Sequence, residues 1–523
     1  MKSIQQHRFS DVPDVQIPRS RFNRSHGYKT TFDAGYLIPI FVDEALPGDT
    51  FSVNMSGFGR LATPIYPLLD NMTLETFFFA VPNRLLWNNW KKFMGEQTDP
   101  GDSTDYSIPV VSLNNVANET LWDYFGLPTL VTSAYEVNNL HGRAYNLIYN
   151  DWFRDQNLQD SLVVDKDDGP DTASDYVLKK RGKRHDYFTS ALPWLQKGDA
   201  VSLNLGETAP VIVDPDGNGY PTFTLGGPTE YRLSSYIGAS RNETWFNPSG
   251  GGYASGADAT WDEPGLITDL DSATSSTINE LRQANQVQRL LERDARAGTR
   301  YPEVVKAHFG VTSDDARMQR PEYLGGGSTP VYIGAVARTD SQPGKLGATG
   351  TLGFKGHGFV KSFTEHCVII GLACVRADLT YQEGIDRMWS RQTKYDYYWP
   401  ALANLGEQSI LNKEIFINAT TIGSGASEEV FGYQERHAEY RYKPSKITGK
   451  MRSNDAASLD AWHLGIEFGS QPTLDSSFIE EAPPIDRVIA TPTEPHFLFD
   501  SVINMECTRP MPMYSIPSLT NHF

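Results

Sequence analysis

The run Cys367-Val-Ile-Ile-Gly-Leu-Ala-Cys-Val375 constrains this chain more than any other stretch. An unbroken apolar run of this length is far short of the roughly 20 residues a membrane helix needs. It reads as a buried strand, and a buried strand requires partners. The chain supplies them. Residues 36–42, 50–55, 73–81, 331–337, 356–363, 366–376 and 496–507 are alternating, β-branched or aromatic, and Pro and Gly punctuate them. Pro47-Gly48-Asp49 marks a turn between the first two. With 25 Tyr, 26 Phe and 10 Trp, the composition suits β-rich structure and large interfaces.

Helical periodicity is confined to a few segments. Residues 84–94 place Leu86, Trp87, Trp90 and Met94 on one side, and 134–153 offer Tyr135, Leu140, Tyr145, Ile148, Trp152 and Phe153 as a buried set. Thr277 and Glu280 form a capping box for a helix carrying Ile278, Leu281, Leu291 and Ala295 at helical spacing, with Gly298 just past its last turn. Its other face bears Arg282, Arg289, Arg293 and Arg296, ordinarily a solvated surface. A second short helix fits 302–308. Gly325-Gly-Gly-Ser-Thr-Pro330 reads as a turn; no Lys-Ser or Lys-Thr follows to make it a phosphate loop.

The 523 residues include 46 Lys and Arg against 64 Asp and Glu, a net charge of −18. A chain this acidic can meet nucleic acid only through a local patch. One candidate is residues 1–30, where six basic residues face two acidic ones and Pro13 and Pro18 favour extension. That stretch reads either as a disordered terminus or as an arm that neutralises phosphates. Nothing at the start resembles a signal peptide. Between 155 and 276 turn signals crowd together: Asp167-Asp-Gly-Pro170, Asp214-Pro-Asp-Gly217, Gly226-Gly-Pro228 and Gly250-Gly-Gly252. This segment reads as an insertion projecting from the domain, and it includes the basic cluster Lys179-Lys-Arg-Gly-Lys-Arg184. Cys367, Cys374 and Cys507 cannot form a disulfide framework, so a reducing compartment is the simpler reading.

Motifs for chemistry are lacking. Asp214-Pro-Asp-Gly-Asn-Gly begins like a calcium loop, but Leu225 stands where a bidentate Glu is needed, so a plain turn is preferred and no metal is assigned. His357, His366 and Cys367 lack a second pair at zinc spacing. There is no nucleophile elbow, zinc-protease helix or dinucleotide fingerprint, and no cofactor is expected. Arg436, Glu439, Arg441 and Lys443 alternate with Tyr440 and Tyr442, which suits a salt-bridged loop or a subunit contact.

Longer segments carry a resemblance. They include Ile17-Pro-Arg-Ser-Arg-Phe-Asn-Arg-Ser-His-Gly-Tyr28, Asp43-Glu-Ala-Leu-Pro-Gly-Asp-Thr-Phe51, Val81-Pro-Asn-Arg-Leu-Leu-Trp87 and Trp152-Phe-Arg-Asp-Gln-Asn-Leu158. Further along stand Leu290-Leu-Glu-Arg-Asp-Ala-Arg296, Gln319-Arg-Pro-Glu-Tyr-Leu-Gly-Gly-Gly-Ser-Thr329, Ala438-Glu-Tyr-Arg-Tyr-Lys-Pro444 and Ser458-Leu-Asp-Ala-Trp-His463. Across both ends and the middle, the chain resembles the major capsid proteins of the microviruses, small icosahedral single-stranded DNA bacteriophages, in particular the gokushovirus branch. It departs at His437, where the family usually has Trp, and at Ser515 and Ser518, where glycines are usual.

The resemblance implies a mainly β fold, an eight-stranded antiparallel viral jelly roll with long loop and helix insertions. It implies a basic arm (1–30), a jelly-roll core in two parts (31–154 and 277–523, the latter ending in an extended tail) and a variable insertion (155–276). The insertion would form a three-fold surface protrusion, with its tip near 205–259. The implied function is structural and non-enzymatic: self-assembly into a T=1 icosahedral shell around circular single-stranded DNA. Partners would be further copies at five-, three- and two-fold contacts, the genome, internal scaffolding and DNA pilot proteins, and a host surface receptor. The protein would reside in the virion after assembly in the bacterial host cytoplasm. Arg8, Arg19, Arg21, Arg24 and Lys29 are then the expected DNA contacts of the interior arm. Arg282, Arg289, Arg293, Arg296, Arg436, Tyr440 and Tyr442 are the expected subunit contacts. The competing reading is a jelly-roll carbohydrate-binding or carbohydrate-active protein; a primarily adhesive role is a third.

Overall fold

The computed structural model describes residues 18–201, 211–213, 222–224, 230–238, 241–248, 260–263, 266–268, 278–337 and 346–514, those between 213 and 268 as backbone. The chain divides into two compact units, one made of Met1–Leu195 with Asp294–Phe523 and the other of Gln196–Arg293.

Ten strands build two antiparallel sheets in the first unit. In chain order they are β1 (Ser20–Asn23), β2 (His26–Phe32), β3 (Ile38–Ala45), β4 (Thr50–Leu61), β5 (Met72–Pro82), β6 (Glu322–Pro330), β7 (Tyr332–Ala337), β8 (Leu346–Ser362), β9 (Cys367–Ala377) and β10 (Phe497–Arg509). The first sheet runs β1-β10-β4-β8-β7, with β2 also paired to β10; the second runs β6-β5-β9-β3. Strand β10 alternates buried and exposed residues along most of its length, as a strand with one solvated face must. Its inward Phe499, Ile503 and Met505 join Phe51 and Met55 of β4 and Phe78, Ile369 and Val375 of the second sheet in one hydrophobic core.

Strand β9 explains the opening run of the sequence. Cys367, Ile369, Ala373 and Val375 face that shared core, while Val368, Ile370 and Leu372 face a second one. Helix α1 (Leu140–Ile148) supplies Leu140, Ala144, Tyr145 and Ile148 to the second cluster. With both faces covered, alternation has no reason to appear. At Gly371 a Cβ would stand 2.8 Å from side-chain atoms of both Phe41 and Phe78, so close packing selects the glycine.

Several expectations need correction. Gly325 to Gly327 do not turn; they lie within β6, paired to Phe78, Phe77 and Thr76 of β5. A Cβ on Gly326 would approach the Thr76 carbonyl oxygen to 2.0 Å, and one on Gly327 the His357 ring to 2.2 Å. The glycines admit close neighbours rather than bend the chain. The stretch 84–94 is two single turns, Asn83–Leu86 and Trp90–Phe93, not one helix. Between them Trp87 is extended, and its indole donates to Asp168 Oδ1 at 2.7 Å. The stretch 134–153 opens as a strand, Tyr135–Asn138, before α1 and a final π turn, Tyr149–Phe153. Residues 1–30, read as an arm, are sheet from Ser20 onward.

The segment 155–195, grouped by composition with the insertion, packs in the first unit. Tyr176 joins the cluster under α1, and Tyr187, Phe188 and Ala191 form a third cluster with Ile410, Phe431 and Phe478. The second unit contains a four-stranded sheet, ordered Arg241–Pro248, Glu230–Gly238, Thr222–Thr224 and Thr260–Glu263, and a pair of short strands, Val211–Val213 and Leu266–Thr268. The calcium-like stretch from Asp214, as well as Thr277, Ser515 and Ser518, lies outside the described residues.

Candidate subunit and nucleic-acid interfaces

The arm cations are matched along a sheet edge. Because β2 and β10 are in register, Lys29 lies opposite Asp500, and their charged groups are 2.5 Å apart. Arg21 pairs with Glu506, and Arg19 donates to the Gly48 carbonyl. Arg24 grips Asp43 through two bonds of 2.6 and 3.0 Å. Arg21 and Lys29 remain largely exposed, so water and salt screen these pairs and each contributes about 0–1 kcal/mol. Arg8 lies outside the described residues.

The capped-helix expectation corresponds to α2 (Ile278–Ala297), followed by α3 (Tyr301–Phe309). Gly298, at φ +97°, adopts the left-handed conformation suited to its place just past the helix. Arg282, Arg289 and Arg293 are exposed. Of the apolar residues expected on its buried side, Ile278 is 70% exposed and Leu281 50%, while Leu291 is half-buried; Val287 and Leu290 are also exposed, at 40% and 51%. Ala295 is the buried residue of the helix. Arg296 differs from the other three arginines, pairing with Glu407 and, at 3.4 Å, with Glu435.

Arg436, Tyr440 and Tyr442 lie against a second segment, residues 386–399. Arg391 stacks over Tyr440 at 4.4 Å and Tyr397 at 5.3 Å, and donates to Glu439 at 3.2 Å. The Tyr398 ring lies 5.4 Å from His437 and 6.3 Å from Tyr440. Arg441 pairs with Glu435, but Arg436 forms no ion pair among the described residues. His437 is 4% exposed and takes a left-handed φ of +61°. Neither of its ring nitrogens has a hydrogen-bond partner, and burial holds the imidazole below its ordinary pKa. Arg391, Arg436 and His437 line one cavity of about 220 Å³. Arg387 enters the same cavity and pairs with Glu414 at 3.0 Å; that buried carboxyl is pushed up by desolvation. The signal for Arg387, Arg391 and Lys394 was their spacing just ahead of Tyr395-Asp-Tyr-Tyr-Trp399, but nothing local links them to 436–442.

The basic cluster 179–184 is structural. Arg181 pairs with Glu75 and stacks over Phe77 at 4.7 Å, Lys183 donates to the Phe478 carbonyl at 2.5 Å, and Arg184 reaches Asp378 at 2.9 Å. Burial opposes ionisation of Glu75, but Arg181 and Arg376 prevail and hold it below the usual carboxylate range. Arg181 and Arg184 also line a cavity of about 1260 Å³ together with Phe77, Trp152, Arg300 and Tyr323. Among the described residues, no group of three or more His, Cys, Asp and Glu is placed to hold a metal ion, and no helix is long and apolar enough to cross a membrane.

Residues 10–519 match the family model described as capsid protein (F protein). The chain is 48% identical to capsid protein VP1 of Bdellovibrio phage phiMH2K, across 99% of this chain and 98% of that protein. It is 42% identical to capsid protein VP1 of Chlamydia phage 1, with the same coverage. Its identity to capsid protein VP1 of Spiroplasma virus 4 is 36%, across 98% and 97% of the two chains. With a family model spanning nearly its whole length and relatives this similar from end to end, the chain belongs to the capsid protein (F protein) family of the microvirus-type bacteriophages.

Proposed function

We propose that this chain is the major capsid protein that closes into a T=1 icosahedral shell around a circular single-stranded DNA genome. The role is structural, without catalysis. The two sheets around one core are read as a viral jelly roll, with the helices and long loops as its insertions. The observation that carries the reading is the exposure of Ile278, Leu281, Val287 and Leu290 on α2, beside Arg282, Arg289 and Arg293. Large apolar residues left open on one chain mark partner surfaces, and closed symmetry lets identical copies cover them. Arg436, Tyr440 and Tyr442 are further candidates for contact between copies.

The part of the expected insertion from 196 to 276, within the unit Gln196–Arg293, is read as a protrusion at the three-fold axes that engages a host receptor. The cations Arg8, Arg19, Arg21, Arg24 and Lys29 are assigned to the genome side. Repeated about sixty times in a closed shell, weak contacts of this kind sum. Scaffolding and DNA pilot proteins would be partners during assembly in the host cytoplasm. Negative-stain imaging and sedimentation of the expressed chain test the reading. Closed particles or pentamers are expected; a stable monomer that cleaves or binds glycans would refute it.

A further inference from the structure

Residues 386–399 and 436–452 carry nine Lys and Arg against three Asp and Glu, a net of +6 in a chain whose total is −18. The two segments are packed together: Arg391 touches Tyr440 and Glu439, Tyr398 touches His437, and Lys446 pairs with Asp386 at 2.7 Å. The first exposes Trp389, Tyr395, Tyr397, Tyr398 and Trp399, and the second Tyr440 and Tyr442, each between 46% and 74% exposed. Lys394, Arg436, Lys443 and Lys450 form no ion pair among the described residues, unlike Arg19, Arg21, Arg24 and Lys29, which have partners. At the base of this surface, Arg391 Nε, Arg436 Nε and both His437 nitrogens are buried without partners, beside the cavity of about 220 Å³. The two guanidinium Nε–H groups call for an acceptor, and the neutral imidazole offers one donor and one acceptor.

We infer that this aromatic and cationic surface is a docking site for single-stranded DNA, its rings stacking on bases and its Lys394, Arg436, Lys443 and Lys450 meeting backbone phosphates. The inference rests on the reading of the chain as a shell around single-stranded DNA, and it gives the genome a specific seat. Exposed rings interleaved with free cations are what sequence-tolerant strand binding requires. Tyr, Trp and Arg also favour protein interfaces, where Arg436, Tyr440 and Tyr442 were expected from sequence. Lysine, however, is depleted from such interfaces, and here Lys394, Lys443, Lys446 and Lys450 crowd the surface.

The test is binding of a labelled oligothymidylate of about 20 nucleotides to the full chain, alongside particle formation. Two variants are used, Lys394→Glu with Lys443→Glu, and Trp389→Ala with Tyr395→Ala, with thermal unfolding as a check on folding. The charge reversal is expected to weaken binding at least about tenfold and to reduce the slope of log K against log salt by about 1.4, the value for two phosphates on a single strand. Each ring lost is expected to weaken binding roughly five- to a hundredfold. Both variants are expected to form particles as the parent does. Unchanged binding and salt slope in both variants would overturn the inference. Loss of particles with unchanged DNA binding would also overturn it and return the surface to contact between copies. The shell reading is judged separately, by whether the parent chain forms particles at all.

Discussion

Arg143 donates to both carboxylate oxygens of Asp171, at 2.7 and 2.5 Å, with the first side chain fully buried and the second 1% exposed. The pair joins helix α1 to the loop 155–195. Tyr176 donates to the same carboxylate at 3.0 Å, and the Leu86 carbonyl takes a further guanidinium bond at 3.1 Å. Burial opposes both charges, but the mutual bonds keep Asp171 below and Arg143 above their ordinary pKa values. Asp171→Ala would leave a buried guanidinium unpaired and is expected to cost about 3–5 kcal/mol. Replacing both, Arg143→Met with Asp171→Leu, is expected to recover part of that loss, the remainder being the unpaired Tyr176 hydroxyl and Leu86 carbonyl. Urea denaturation of the two variants checks this; equal destabilisation would contradict it.

The glycines of β6 make a second test. Gly326→Ala forces a Cβ against the Thr76 backbone, where neither side can yield, and is expected to cost about 3 kcal/mol. Gly353→Ala, on the exposed face of β8 with nothing within 4 Å of the new atom, is expected to change stability by less than about 0.5 kcal/mol. Thermal unfolding distinguishes them.

His357 makes stability depend on pH with a definite sign. The ring lies between Thr76 Oγ1 at 2.9 Å and Thr329 Oγ1 at 3.1 Å, and burial lowers its pKa. The unfolded chain therefore takes up the proton first. Its contribution is fully present above about pH 6.5 and is lost as pH falls toward the folded value. His141 and His437 are shifted in the same direction, so they add to the slope. His357→Gln is expected to narrow the difference in Tm between about pH 7 and pH 5.5 without removing it. An unchanged difference would show that the ring does not contribute.

Leu281 and Leu290 on α2 separate folding from assembly. Each is about half exposed, so Leu281→Lys with Leu290→Lys is expected to alter monomer stability by less than about 1 kcal/mol while abolishing particles in sedimentation. Particles as abundant as the parent's would exclude α2 as a contact between copies.

Much of the sandwich was legible because strands announce themselves locally: 36–42, 50–55, 73–81 and 496–507 lie on or overlap β3, β4, β5 and β10. What escaped reading depends on partners far away in the chain. Gly325 to Gly327 looked like a turn because Thr76 and His357, which demand their small size, are not neighbours in sequence. Arg21, Arg24 and Lys29 looked free because Glu506, Asp43 and Asp500 become adjacent only after pairing. The apolar side of α2 was read as a core face, since periodicity reports that a stripe will be covered without saying whether the same molecule covers it. At the aromatic surface, Tyr395 to Trp399 stood out by composition, but their union with 436–442 could not be read from either segment.

The first sheet also sets a timetable. Its β10 lies between β4 and the β1–β2 edge, although it is the last of the ten strands in chain order. About 430 residues must leave the ribosome after β4 before β10 can enter, which takes about 20–90 s at ~5–20 residues per second. Until then β2 and β4 present unpaired edges of the kind that recruit the wrong strand. The sheet therefore closes only after β10 has been made, and a chain released or stalled before then carries this face incomplete.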